Sequence, residues 1–363
     1  MRPSSICSCG PWNGDAVSLR WLALPLVVLV APWSAAQPAP ELSISSGYEY
    51  GTIQVGPSSD DKLHYAADDG TNKAIPVEVR TEGSAWTISV SRPREVAERT
   101  PAVLSVQVPK AIARIHVLNP RGRLQIANVA ADLDVRGGSG RNFLKNVGSV
   151  TLVSGSGEVE VEDVRGSVTL DTESANVTVK NVRGDFTFSL GSGNLTAARI
   201  AGDVSGKAST GNIDLAEPGG LVRIRSINGN TRVLCPRGAV EIHDSSGVSE
   251  VVQPAAGADV ETSTGRTSIY ASSTQPQLIK AKTLAGAATL VIPEATGLEI
   301  TLDSFQKNIE LDPALSNLST PSPDGKHVSV TQGTPKLRVF MESFGGRLAL
   351  HVHPLPPCTG GER

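Results

Sequence analysis

An eighteen-residue internal repeat is the feature that most constrains how this chain can fold. Each repeat begins at a small residue, and these heads are Gly157, Ala175, Gly193, Gly211, Gly229 and Gly247. A second glycine lies nine residues into each repeat, in the column Gly148, Gly166, Gly184, Gly202, Gly220 and Gly238. Segments this short leave no room for the helices that connect parallel strands in mixed folds.

Apolar residues recur at every second position within each half of the repeat. Two of the resulting columns are Val159, Val177, Leu195 and Ile213, and Val168, Phe186, Val204, Val222 and Val240. A spacing of two is typical of a strand with one buried face, and stacked repeats would join these columns into one core. The sequence therefore predicts an all-β fold, a single-stranded, right-handed parallel β-solenoid (β-helix) with coils of eighteen residues between β caps.

Two polar columns flank the repeat heads. The asparagine column consists of Asn176, Asn194, Asn212 and Asn230, and the hydroxyl column contains Ser156, Ser174, Ser192 and Thr210. Asparagine tolerates turn backbone, and stacked amides can bond from one repeat to the next. We interpret both columns as structural ladders, and the serines as turn formers rather than nucleophiles.

The regular repeat divides the chain into five regions. Residues 1–36 predict a signal peptide, and 37–120 an N-terminal β cap of antiparallel strands. The regular solenoid is predicted for 121–270. Residues 271–353 fit either irregular coils or a C-terminal β cap, and 354–363 predict a disordered, Pro-rich tail.

The first 36 residues carry an export pattern. Arg20 precedes an apolar run, and Ser34 and Ala36 form a small-x-small cleavage site before Gln37. The run is shorter than the roughly 20 residues that a membrane helix needs. We expect an exported protein, in the periplasm, on the cell surface or secreted, with no stable membrane span after cleavage. An uncleaved anchor is the alternative.

Two cysteines remain after the predicted cleavage site, Cys235 and Cys358. An exported compartment permits them to form a disulfide. The pairing is open, because the sequence does not fix the position of the Pro-rich tail that carries Cys358.

Several motifs resemble a known family. The chain has a leading strand that ends in Val108-Pro109-Lys110, and half-coils such as Ser192-Gly193-Asn194-Leu195 and Val182-Arg183-Gly184-Asp185-Phe186. These resemble the bacterial putative-adhesin β-solenoid family, a domain of unknown function similar to the head domain of putative autotransporter adhesins. The resemblance covers residues 103–270. It implies a solenoid fold and a surface role, and it supplies no catalytic residues.

Surface carboxylates raise a competing, enzymatic interpretation. Polysaccharide lyases and hydrolases with β-helix folds need paired carboxylates in a cleft. The candidates here are Glu158, Glu160, Glu162, Asp171 and Glu173. The repeats carry no insertions that would wall a cleft, and Trp86 is the single tryptophan after residue 36. A solvated face is the favoured interpretation.

No cofactor or metal site is predicted. His351 and His353 share one face of a strand, but two ligands fall short of a zinc site. The net charge of −3 argues against nucleic-acid binding through a broad basic surface. The sequence thus predicts a non-catalytic exported envelope protein that presents a rigid face to a glycan, a surface protein or a second copy of itself. The alternatives are a polysaccharide-acting enzyme and a scaffold module for an envelope regulator.

Overall fold

The structure is a computed structural model that describes residues 39–48, 51–71, 73–92, 102–119, 121–272, 275–293 and 297–358. The fold is all-β, with 65% strand and 2% helix, which confirms the predicted class. The predicted signal peptide lies outside the described residues.

Eight short strands precede the regular repeat. They are β1 (Glu41–Ser46), β2 (Thr52–Pro57), β3 (His64–Asp68), β4 (Glu78–Glu82), β5 (Ala85–Val90), β6 (Val103–Val108), β7 (Arg114–Asn119) and β8 (Arg123–Ala127). β1 lies between β5 and β7, and β2 lies between β6 and β8, all in parallel pairs. The first two strands of the chain are therefore inserted between strands that come later.

The prediction of antiparallel strands for residues 37–120 is wrong for β1, β2 and β7. Among the described residues of this region, the antiparallel pairs are β3 with β6 and β4 with β5. The same apolar alternation suits a parallel and an antiparallel strand, so the sequence pattern does not fix the direction of pairing.

Eleven strands form the repeat region. They are β9 (Asp132–Val147), β10 (Val150–Val164), β11 (Val168–Val182), β12 (Phe186–Ser192), β13 (Leu195–Ile200), β14 (Val204–Thr210), β15 (Ile213–Ala216), β16 (Val222–Leu234), β17 (Val240–Val252), β18 (Ala258–Thr262) and β19 (Arg266–Tyr270). Each pairs in parallel with the strand one repeat away, so that Phe186 lies between Val168 and Val204.

The predicted apolar columns point into the core. Val159, Phe186 and Val204 are fully buried, as are the equivalent residues of neighbouring repeats. Burying one such side chain contributes about 1.5–3 kcal/mol, so stacked columns of this kind are the main source of stability. The repeat lengthens after β19: the partner of Ala258 is Ile279 rather than the residue eighteen positions on.

Eight further strands follow the repeat. They are β20 (Gln277–Thr283), β21 (Ala287–Ile292), β22 (Leu298–Ser304), β23 (Ile309–Leu311), β24 (Ser319–Pro321), β25 (His327–Gln332), β26 (Leu337–Ser343) and β27 (Arg347–Val352), with a 3-10 helix at Pro313–Leu318. β26 is inserted between β20 and β22, and β27 between β21 and β23, in parallel pairs. β25 pairs antiparallel with β22 on one side and with β24 on the other. The region thus combines parallel layers with an antiparallel end.

The residues after Val352 are held against the repeat region. A disulfide joins Cys235 to Cys358. The Gln253 side-chain amide donates to the Pro356 carbonyl oxygen, with an N···O distance of 2.7 Å. Residues 354–358 therefore do not follow the prediction of a disordered tail, because the disulfide and this hydrogen bond hold the segment in place. Residues 359–363 lie outside the described residues.

Candidate binding groove

A groove of about 880 Å³ runs across the stacked strands, beside the repeat heads. Its base is a column of buried residues: Thr172, Leu190, Ala208, Ser226, Asp244, Thr262 and Thr283. In each strand, the residue before and the residue after this buried position point outward, and these two outward residues form the two sides of the groove. Eight consecutive layers contribute to the groove, which gives a length of about 34 Å at about 4.8 Å per layer.

We call one side of the groove the charged row. It consists of Asp171, Ser189, Lys207, Arg225, His243, Glu261, Lys282 and Glu342, each paired in register with the next. His243 Nδ1 lies 3.0 Å from Glu261 Oε2, and Lys282 Nζ lies 3.4 Å from Glu342 Oε2. These polar contacts join side chains of neighbouring layers.

Lys207 and Arg225 are the exception in the charged row. They occupy adjacent layers, and both side chains are exposed. Within the described part of the chain, neither side chain has a hydrogen bond or an ion pair. Two positive charges therefore lie side by side near the middle of the groove without a protein counterion.

The opposite side, the turn row, is made of small and apolar residues apart from Glu173 at one end. It consists of Glu173, Gly191, Ser209, Ile227, Ser245, Ser263, Leu284 and Phe344. Ile227, Leu284 and Phe344 are large apolar side chains with 55%, 58% and 59% of their surface exposed. Phe305 extends the row by one layer, with its ring stacked on Phe344 at a centroid distance of 4.9 Å. The groove thus ends at an apolar surface.

Asp244 is a carboxyl group buried at the base of the groove. Its side chain is 4% exposed, and its Oδ2 accepts a hydrogen bond from Ser249 Oγ at 2.9 Å. Burial raises the pKa of Asp244, and hydrogen bonds from Ser249 and Ser226 oppose that shift in part. Oδ1 has no hydrogen-bond partner, so ionising this group in the folded protein is unfavourable.

The carboxylates considered for an enzyme lie in two separate places. Asp171 and Glu173 line the groove, whereas Glu158, Glu160 and Glu162 are not among its lining residues. Glu158 lies 2.6 Å from Arg141 and Glu162 lies 2.8 Å from Lys145, which places both in ion pairs on the surface.

The asparagine column forms a continuous ladder of side-chain hydrogen bonds. Asn194 Nδ2 donates to Asn176 Oδ1 at 3.1 Å, and the bonds from Asn212 to Asn194 and from Asn230 to Asn212 measure 3.1 and 3.0 Å. Such bonds link each repeat to the next at an exposed turn.

The hydroxyl column bonds to backbone carbonyls of the preceding repeat. Ser192 Oγ donates to the Glu173 carbonyl oxygen at 3.3 Å, and Thr210 Oγ1 donates to that of Gly191 at 3.4 Å. Ser174 and Ser156 occupy the same column one and two repeats before Ser192. These hydroxyls lie next to the turn row and orient the turns that form it.

A second ladder escaped the sequence analysis. Eight residues at one turn of successive repeats adopt left-handed backbone with φ between 50° and 59°: Asn128, Asn146, Asp163, Asn181, Arg199, Glu217, Cys235 and Gln253. Asn146 bonds to Asn128 at 2.9 Å, and Asn181 bonds to Asp163 at 2.8 Å. The recurrence of Asn and Asp at one repeat position is the signal that could have identified this ladder.

No candidate metal site or membrane helix emerges from the described residues. The rings of His351 and His353 lie 6.2 Å apart, and no three His, Cys, Asp or Glu side chains in that part of the chain are grouped to hold a metal ion. Within the same residues, no helix has both the length and the hydropathy for a membrane span.

No family model and no curated protein matches this chain. Two solved structures are similar over most of its length. A putative cell adhesion protein from Clostridium sporogenes shares 7% sequence identity with a TM-score of 0.19, and the match covers 87% of this chain and 94% of that protein. A putative adhesin from Bacteroides fragilis shares 14% sequence identity with a TM-score of 0.20, and the match covers 86% of this chain and 91% of that protein. At such scores the likenesses establish neither a common fold nor a common function.

Proposed function

We propose that this chain is an exported β-solenoid protein of the cell envelope, without catalytic activity, that binds a glycan along the groove. The observation that carries the proposal is the continuity of the groove over eight layers. A site about 34 Å long suits an extended polymer better than a compact ligand, which binds in an enclosed pocket.

The groups that line the groove match the chemistry of sugars. Asp171 and Glu173 supply oxygens that accept hydrogen bonds from sugar hydroxyls, and Ser209 supplies a hydroxyl that can donate or accept. Phe344 offers an exposed apolar surface for the C–H face of a sugar ring. The repeated spacing of the layers would present these groups at regular intervals to a repeating polymer.

The carboxyl groups of the groove support a binding role over catalysis. A general acid for glycosidic cleavage needs a raised pKa and must reach the leaving oxygen. Asp244 is the groove carboxyl whose pKa is raised, and its side chain is buried within the base of the groove rather than exposed to a ligand.

The proposal is tested with the mature protein from Gln37 onward. We expect it to co-elute with an envelope or plant polysaccharide in size-exclusion chromatography with light scattering, and the polymer to keep its mass. Shortened polymer would contradict the non-catalytic role. If no polysaccharide in the panel co-elutes, the glycan proposal fails and a protein partner becomes the better explanation.

A matched pair of variants places the ligand in the groove. Ser209→Trp fills the turn row with a large side chain, so we expect it to abolish co-elution. Thr196→Trp adds the same side chain at an exposed strand position outside the groove, and it should bind like the unaltered protein. Equal loss in both variants, or in neither, would show that the polymer binds elsewhere.

A further inference from the structure

We infer that the groove selects polysaccharides built from uronic acids, with Lys207 and Arg225 binding the sugar carboxylates. This inference rests on the proposed function, because it names the class of glycan that the same groove would take.

The first argument is the lack of a counterion. Lys282, the other lysine of the charged row, faces Glu342, and the His243 ring faces Glu261. Lys207 and Arg225 have no such acidic neighbour among the described residues. Two positive charges on strands about 4.8 Å apart repel each other, and an anion placed between them removes that cost.

The surrounding surface shows the same contrast. Several outward cations of the repeat region pair with acids one layer away: Arg223 with Glu241, Arg232 with Glu250, and Lys280 with Asp259. Arg223 belongs to the same strand as Arg225, two residues earlier, which places its side chain on the same face of the strand. Lys207 and Arg225 therefore lack the kind of acidic partner that Arg223 has on the same face.

The second argument is the position of the pair. Asp171 lies two layers from Lys207, and Glu261 lies two layers from Arg225, so each acid is about 10 Å from the pair along the row. At that separation across solvent the acids do not neutralise the pair. They stay available to accept bonds from hydroxyls of neighbouring sugars.

The third argument is the space opposite the pair. Gly191 and Ser209 of the turn row lie across from Ser189 and Lys207 and are small, whereas Ile227 lies across from Arg225. The groove consequently has room beside Lys207 and an apolar side chain beside Arg225. A sugar ring can lie there with its carboxylate directed to Lys207 and Arg225, where charge-assisted hydrogen bonds are strong.

The test compares two polymers that differ only in charge. Polygalacturonate carries a carboxylate on each sugar, and its fully methyl-esterified form has the same backbone without the charge. We expect the mature protein to bind polygalacturonate at least about tenfold more tightly by biolayer interferometry, with affinity falling as salt is raised.

Variants identify the residues. Lys207→Gln and Arg225→Gln should each lose about tenfold in affinity for polygalacturonate and leave binding of the ester unchanged. Lys280→Gln, at an exposed position outside the groove, is the control and should bind like the unaltered protein. Thermal melts confirm that all three variants fold.

The outcomes separate this inference from the proposed function. Equal binding of both polymers, or variants that behave like Lys280→Gln, would overturn the uronic acid assignment and leave a neutral glycan as the ligand. Binding of neither polymer, nor of any other polysaccharide in the panel, would overturn the proposed function itself.

Discussion

The eight residues with left-handed backbone at one turn of successive repeats differ in how well their side chains suit that backbone conformation. Asn and Asp tolerate this backbone because their short polar side chains bond locally, and Asn181 does so with both Asp163 and Arg199. Glu217 adopts the same conformation at φ 55° without that advantage. Other non-glycine residues in this region carry a strain of about 1–2 kcal/mol.

Relief of that strain leads to the first prediction. Glu217→Gly should raise the free energy of unfolding by about 1 kcal/mol, since glycine adopts positive φ without a steric penalty. Urea denaturation followed by circular dichroism measures the change. Asn181→Gly is the control, and it should give no gain because Asn181 already tolerates the turn and bonds to its neighbours. A loss in Glu217→Gly would refute the strain argument.

The buried carboxyl of Asp244 predicts a pH dependence. Burial raises its pKa above the ordinary value of 3.8, so the folded protein holds this proton more tightly than the unfolded chain. The resulting stabilisation is complete below the unfolded pKa and is lost as pH rises through the folded pKa. Asp244→Asn keeps a side chain that can bond to Ser249 but does not titrate.

We therefore expect Asp244→Asn to gain stability over the unaltered protein at pH 7, and the gain to shrink as the pH falls towards 4. Urea unfolding of both proteins across this range tests it. Ser249→Ala removes the hydroxyl that bonds to Asp244 without removing the carboxyl, and it should keep the pH dependence. A gain that does not change with pH would show that Asp244 titrates normally in the fold.

At the scale of the strands and turns, the repeat heads set how closely the layers stack. Gly211 has φ 120°, and a Cβ there would overlap the carbonyl oxygen of Gly193 in the preceding repeat. Only glycine, which has no Cβ, allows the backbone of one repeat to lie this close to the carbonyl oxygen of the preceding repeat. Ala175 occupies the head position of its own repeat without a positive φ, which explains why one alanine interrupts the glycine column.

The third prediction follows from this contrast. Gly211→Ala should lower the free energy of unfolding by about 2–4 kcal/mol, because the strand must shift away from the Gly193 carbonyl. Ala175→Gly, the reverse change in the same column, should cost under about 1 kcal/mol. Thermal melts of both variants provide the comparison. Similar losses in the two would show that the heads are not the points of closest approach.

Much of the layered structure could be predicted from the sequence, while the groove could not. Alternation placed Val159 and Phe186 in the core correctly, because the period of a strand is fixed by its backbone. Asp171 and Glu173 stand out in the sequence as candidate carboxylates, whereas Lys207 and Arg225 have no motif that marks them. Whether outward residues line a groove depends on the angle between successive strands at a turn, and no residue type at those positions reports that angle.

At the scale of the whole described chain, the pairing order at the two ends departs from the order of the sequence. β1 and β2 lie inside the stack, and β4, at one edge, has the charged sequence EVRTE. Charged residues on an edge strand oppose pairing with other chains. The alternating pattern of β1 and β26 fits many neighbours equally well, so the sequence did not predict these insertions.

The disulfide makes a prediction at this scale. Replacing Cys358 with Ser removes the bond to Cys235 and should lower stability by about 2–4 kcal/mol, because the unfolded chain gains freedom. Differential scanning calorimetry of the variant and of the unaltered protein, with and without reductant, measures this. Reductant should lower the melting temperature of the unaltered protein alone. If the variant had the same melting temperature as the unaltered protein, the disulfide to the tail would add nothing to stability.

The inserted end strands also determine the order in which the molecule can fold. Glu41 of β1 contacts Arg114, 73 residues later, so the first strands emerge long before both of their neighbours exist. Arrays built of consecutive repeats gain and lose units from their ends, one at a time. Here an inserted strand such as β1 or β26 must break its pairing with two neighbouring strands at once. Hydrogen exchange of the backbone amides in β1 and β26 should therefore be as slow as in the centre, and folding should be slow because its closing contacts are distant in sequence.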